Sequence, residues 1–174
     1  MRNLTELWQA YDNGIFGKQE LKDLSWHIEN DKDPTSSISI ATDIGSKHLG
    51  SVIAKHLDHP DWSVREFTLG CLLGRLKISE YGEKAFSMAT SDTDQGVKST
   101  AISCLGSVLD NLDKYLQQKI ASYIYSIIVN KESYHPTHFL NVQRIGICSR
   151  ESAAFRMKRK PRLNRDVNDL YCFF

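Results

Sequence analysis

The chain repeats itself. Shifted by 33 positions, residues 59–76 fall on residues 92–109, with five identities in 18. Asp61 meets Asp94, Val64 meets Val97, Cys71 meets Cys104, Leu72 meets Leu105 and Leu76 meets Leu109. Arg65 meets Lys98, which keeps the charge. The apolar positions coincide, and both copies follow an acidic loop and precede a second helical pattern. A unit of this length is one helix pair with too much apolar face to stand alone, so neighbouring units must stack and bury that face continuously.

The rest of the chain reads in the same period. Leu4, Leu7, Trp8 and Tyr11 recur at helical spacing, and Asp12-Asn13-Gly14 ends that run. A second helix starts near Lys18 with Leu21, Leu24 and Ile28 inward. Residues 30–37 are polar, hold Pro34 and read as a loop; residues 36–41 fit a short extended piece or the start of a weak helix. Leu49, Val52, Ile53 and Leu57 form a stripe that stops at His59-Pro60-Asp61. Ser63 and Glu66 have the spacing of a capping box before Val64, Phe67, Leu69, Leu72, Leu73 and Leu76. Further helices are predicted over 80–90 (Tyr81, Ala85, Phe86 and Ala89 inward), after the turn 91–96 (Val97, Ala101, Ile102, Leu105, Leu109), and over 112–129. Helices of about 11–18 residues on short connections are the habit of antiparallel pairs. No strand alternation is long enough to build a sheet.

Composition places the chain among ordinary globular proteins: 41% hydrophobic, 25% charged, with 10 Gly and 4 Pro in 174 residues. Its four cysteines, Cys71, Cys104, Cys148 and Cys172, form no CxxC pair and no zinc spacing. Cys71 and Cys104 sit in apolar runs and read as reduced core residues of a cytoplasmic protein. No signal peptide and no membrane-spanning run is visible. Charge is uneven. Residues 1–143 hold 14 basic and 18 acidic side chains, net −4; residues 144–174 hold 8 and 3, net +5. The expected division is therefore a helical repeat domain over 1–143 and a basic extension over 144–174 that docks on the body or meets a partner.

The pattern Asp61…Val64-Arg65…Leu73-Gly74 and Asp94…Val97-Lys98…Ala101…Leu105-Gly106 resembles the HEAT-like repeat family. The resemblance covers roughly residues 46–130; it departs at Lys98, where the family has Arg, and at Leu73-Gly74, one residue late. It implies an all-α fold, a short right-handed α-solenoid of stacked antiparallel helix pairs. It also implies that Asp61, Arg65, Asp94 and Lys98 form a structural ladder along the stack. In the family the second helix of each pair lines the concave side, which here means 46–57, 80–90 and 112–129. The candidate partner-binding residues on those helices are Lys47, Lys55, Lys84, Gln118, Ser122 and Tyr125. Small proteins of this look resemble immunity proteins that neutralise a toxin by tight binding, so a non-enzymatic protein-binding module is expected, with a toxin domain as partner. The alternative is a nucleic-acid-binding protein similar to HEAT-like DNA glycosylases, using the basic tail; a bilin-lyase-like enzyme has no residue pattern behind it.

Other motifs add little chemistry. His56-x-x-His59 and His135-x-x-His138 each precede or span a proline-marked helix end, with no third ligand at useful spacing, so no metal is expected. There is no GxSxG, GxGxxG or P-loop, and Glu80 and Glu83 read with Lys84 as a solvated face. No catalytic residue and no cofactor is expected. The run Arg156-Met157-Lys158-Arg159-Lys160-Pro161-Arg162 offers Arg156, Lys158 and Arg159 to a partner, with Phe155 the one aromatic nearby. Before it, Phe139, Val142 and Ile145 have some periodicity; after it, the apolar end Leu170-Tyr171-Cys172-Phe173-Phe174 calls for cover. Trp62 is either a staple packed on the neighbouring pair or an aromatic contact at the rim of a groove.

Overall fold

A computed structural model describes residues 1–129, and over them the chain is all-helical. Eight helical segments follow one another among the described residues. They are α1 (Leu4–Asp12), α2 (Lys18–Asn30), α3 (Thr35–Asp43), α4 (47–58), α5 (62–75), α6 (79–91), α7 (95–111) and α8 (Lys114–Val129). Each packs on its sequence neighbour or on the segment two ahead: α3 meets α1, α2 and α5, and α5 meets α7, while α2 meets α4, and α6 meets α7 and α8. One continuous core results, from Leu7, Leu24 and Ile28 through Leu72 and Leu73 to Leu105, Leu116 and Ile124. Each fully buried Leu or Ile contributes roughly 1.5–3 kcal/mol.

Local chemistry sets the helix starts. Asn3 caps α1 through a reciprocal bond with Glu6, each side chain accepting the other residue's amide at 2.9 Å. Asp33 accepts both the amide and the hydroxyl of Thr35, so α3 begins at Thr35. The loop predicted over 30–37 is therefore shorter, and the 36–41 piece is helix. The capping box of Ser63 and Glu66 does not form. Asp61 is the cap and accepts the Ser63 amide and hydroxyl at 2.9 and 2.8 Å, while Glu66 accepts the Thr100 hydroxyl from α7 at 2.7 Å. An aspartate placed one residue ahead of the helix outcompetes a serine inside its first turn.

The second half of α5 widens into π turns over Gly70–Arg75. It ends with the Leu76 amide on the Cys71 carbonyl and the Ile78 amide on the Leu72 carbonyl, and Lys77 takes the left-handed conformation (φ 56°) that this closure needs.

Contacts between alternate helices recur in register. Thr100 donates to Glu66 and Ser107 donates to the Leu73 carbonyl, both 34 residues apart, joining α7 to α5. His56 donates to the Ile28 carbonyl at 2.7 Å and Tyr123 to the Ala89 carbonyl at 3.0 Å. Ile28 and Ala89 lie in the last turns of α2 and α6, where carbonyls lack an intrahelical partner. Gly50 and Gly82 each follow a 3-10 turn, and each admits the start of the helix two ahead. A Cβ on Gly50 would stand 2.8 Å from Ile78 Cδ1, and one on Gly82 would stand 2.5 Å from Leu112 Cδ2.

The readings at Tyr134, His135, His138, Phe139, Val142, Ile145, Cys148, Phe155, Arg156, Lys158 and Arg159, and the 144–174 extension, lie outside the described residues. No described helix is long and apolar enough to cross a membrane.

Candidate partner-binding face

The even-numbered helices carry the predicted face. Lys55 on α4 pairs with Glu29 on α2, and Lys84 on α6 pairs with Asp58 at the end of α4; each pair spans 26 residues. Both lysines therefore neutralise the preceding even helix, and exposed pairs of this kind contribute about 0–1 kcal/mol each. Lys47 is exposed at the start of α4. The expected ladder takes a different form. Arg65 binds Asp92, while Asp61 and Asp94 serve as caps to Ser63 and Val97.

The other three predicted residues share one stripe. Gln118, Ser122 and Tyr125 are exposed along α8, in phase with Tyr115 and Val129. Tyr115 is 65% exposed, Tyr125 67% and Val129 53%. The opposite face of α8 buries Leu116, Ile120 and Ile124. The Lys119 ammonium sits 4.4 Å from the centre of the Tyr115 ring and 3.8 Å from Glu83. No acidic residue occurs on α8, so its outer surface is aromatic, hydroxylic and weakly cationic. Trp62 stands apart from this stripe, at the first position of α5, and is 50% exposed.

Two exposed aromatics were not singled out from the sequence. Tyr115 lies in the same helical phase as Gln118, Ser122 and Tyr125, which is the signal that finds it. Trp26 on α2 is 43% exposed. It precedes Lys55 by 29 positions, as Lys55 precedes Lys84, so a 29-residue register marks it.

Ionisable groups near these helices are held in one charge state. A hydrogen bond from Arg65 holds Asp92 below the ordinary carboxylate range, and the Ser63 amide does the same for Asp61. Burial, with help from Glu80, pushes the Tyr81 phenol up to about 12. A cleft of about 420 Å³ opens between the α4–α5 corner and α6. Its charged lining is internally matched: Arg65 with Asp92, and Lys84 with Asp58. His56 and His59 face each other with ring centres 6.0 Å apart, but His56 donates to Ile28 and His59 accepts the Asp61 amide. No group of three metal-ligating side chains occurs among the described residues.

In comparisons with protein families, curated proteins and solved structures, the chain matches none of them.

Proposed function

We propose that this chain is a non-enzymatic protein-binding module. In this reading the helices pair as α1/α2, α3/α4, α5/α6 and α7/α8 and stack as a short right-handed solenoid similar to HEAT repeats. The recurring rungs at separations of 26 and 34 residues support that stacking. The observation that carries the function is the stripe of Tyr115, Gln118, Ser122, Tyr125 and Val129. Tyrosine supplies large contact area at low entropic cost and is enriched where proteins meet.

Charge favours a protein partner over nucleic acid, because residues 1–129 hold 13 basic and 17 acidic side chains. Within this class the finer reading is an immunity-type inhibitor that neutralises a toxin by tight binding in the cytoplasm. It rests on the resemblance of the repeat and on the free Cys71 and Cys104.

In this reading a gene adjacent to this chain's own is expected to encode a toxin domain, and the test is a binding measurement between the two. The wild-type chain forms a complex, and the Tyr115→Ala/Tyr125→Ala double variant weakens it by about 30-fold or more with little change in melting temperature. Failure to form any complex removes the inhibitor reading. A complex indifferent to the double variant removes the α8 face.

A further inference from the structure

Each even helix after α2 turns a lysine back toward the even helix before it, and only on α8 does that rung stay open. Lys55 and Lys84 donate directly to Glu29 and Asp58. The Lys119 ammonium lies 3.8 Å from Glu83, beyond hydrogen-bonding reach. It stands instead 4.4 Å from the centre of the Tyr115 ring, and no hydrogen bond to it occurs among the described residues. An ammonium has three donors and no acceptor. Lys119, with its side chain 37% exposed, therefore holds open donors at the edge of the aromatic stripe.

Resting on the protein-binding reading of that stripe, we propose that the partner seated on α8 is acidic. Its apolar patch covers Tyr115, Tyr125 and Val129, and an Asp or Glu carboxylate beside that patch takes the open donors of Lys119. Charge complementarity carries the choice. Residues 1–113 hold 11 basic and 17 acidic side chains, whereas residues 114–129 hold two basic and none acidic. The face that offers the aromatic contacts thus has the opposite sign to the rest of the described chain. Lys114, exposed and without an ion pair among the described residues, flanks the stripe on the side away from Lys119 by helical phase. Asp113, just ahead of the helix, is turned to its own cap and accepts the Leu116 amide at 3.0 Å. A basic partner laid along α8 would bring like charges to both lysines, an arrangement that costs affinity. The contact between Lys119 and the Tyr115 ring also orders both side chains beforehand, so less freedom is lost when a partner arrives.

The test is an NMR titration of the full chain with three amphipathic helical peptides of about 16 residues, the length of α8. They share one leucine-rich face and carry Glu, Gln or Lys beside it. The Glu peptide is expected to shift the amides of Tyr115, Gln118, Ser122 and Tyr125. It binds about tenfold more tightly than the Gln peptide, the gain expected for one charge-assisted contact, and the Lys peptide binds more weakly than either. Lys119→Gln removes the preference for Glu, and Lys47→Gln, at the start of α4, keeps it. Equal binding of the Glu and Gln peptides, or tightest binding of the Lys peptide, overturns the acidic partner while leaving α8 as a binding face. A preference lost equally in Lys47→Gln overturns it, because the whole chain's charge is then responsible. Absence of α8 shifts with every peptide overturns it as well. Shifts of α8 that grow with protein concentration alone place a second copy there, and nuclear Overhauser contacts from residues 130–174 to Tyr115 and Tyr125 place the chain's own end there; either result overturns the proposal.

Discussion

The Arg65 guanidinium grips the Asp92 carboxylate with two nitrogens, at 2.8 and 3.0 Å, and ties the start of α5 to the corner between α6 and α7. Both side chains are nearly buried, at 13% and 8% exposure. Arg65 also donates to the carbonyls of His59 and Pro60, and Asp92 accepts the Asp94 amide. One ion pair thus fixes two successive corners. Asp92→Ala strands a desolvated guanidinium and is expected to cost about 2–4 kcal/mol, read from the urea midpoint.

The same pair sets an acid limit. Arg65 holds Asp92 below its ordinary value of 3.8, so the folded state binds the proton more weakly than the unfolded chain does. The resulting stability is full above that value and is lost as pH falls through the lower, folded one. Asp92→Asn is expected to lie below wild type at neutral pH and to fall less steeply below about pH 4. Denaturant melts at several pH values check this.

Lys77 marks strain that one substitution relieves. Its φ of 56° places a Cβ where left-handed backbone costs about 1–2 kcal/mol. Glycine removes that cost and adds unfolded-state entropy of about 0.5–1 kcal/mol. Relief of the strain outweighs the added entropy, so Lys77→Gly is expected to stabilise by about 0.5–1 kcal/mol in thermal or denaturant unfolding.

Gly82→Ala tests the close approach of α6 to the start of α8. Alanine gains about 1 kcal/mol of helix propensity. Its Cβ would meet Leu112 Cδ2 at 2.5 Å and Leu116 Cδ2 at 3.2 Å. Both leucines are buried, so moving either one disturbs the core around it. Overpacking of about 1–3 kcal/mol wins, and a net loss near 1 kcal/mol is expected. Gly70→Ala is the control: nothing lies within 4 Å of its Cβ, and it is expected to be stabilising.

Cys71 and Cys104 meet the repeat prediction directly, since both are buried in the core. Burial pushes the Cys71 thiol up, and it pushes Cys104 to about 12. Neither forms much thiolate near neutral pH, and neither is open to reagent. Native alkylation at pH 8 followed by peptide mapping is expected to leave both unmodified, with labelling appearing only on unfolding. Rapid native labelling of Cys104 would contradict its placement.

Periodicity alone was enough to determine the all-helical character, the order of the helices and the buried stripes. Leu72, Leu105, Cys71 and Cys104 are inside because a 3.6-residue rhythm repeated after 33 positions leaves them no other face. The α8 stripe was legible through Gln118, Ser122 and Tyr125 for the same reason.

Partner choice was not legible, because it depends on distance across the stack rather than on position along it. Sequence spacing offered Asp61 and Asp94 to Arg65, yet both were claimed locally as helix caps, and Asp92 was left within reach. Lys55 and Lys84 are candidate partner contacts by sequence, and only the stacked fold brings Glu29 and Asp58 of the preceding even helix to them. His27 gave no sequence signal at all. Its two oxygen neighbours are the Asp31 carboxylate beyond its own helix end and the Arg2 carbonyl 25 residues earlier, and only the packed fold brings both to one ring.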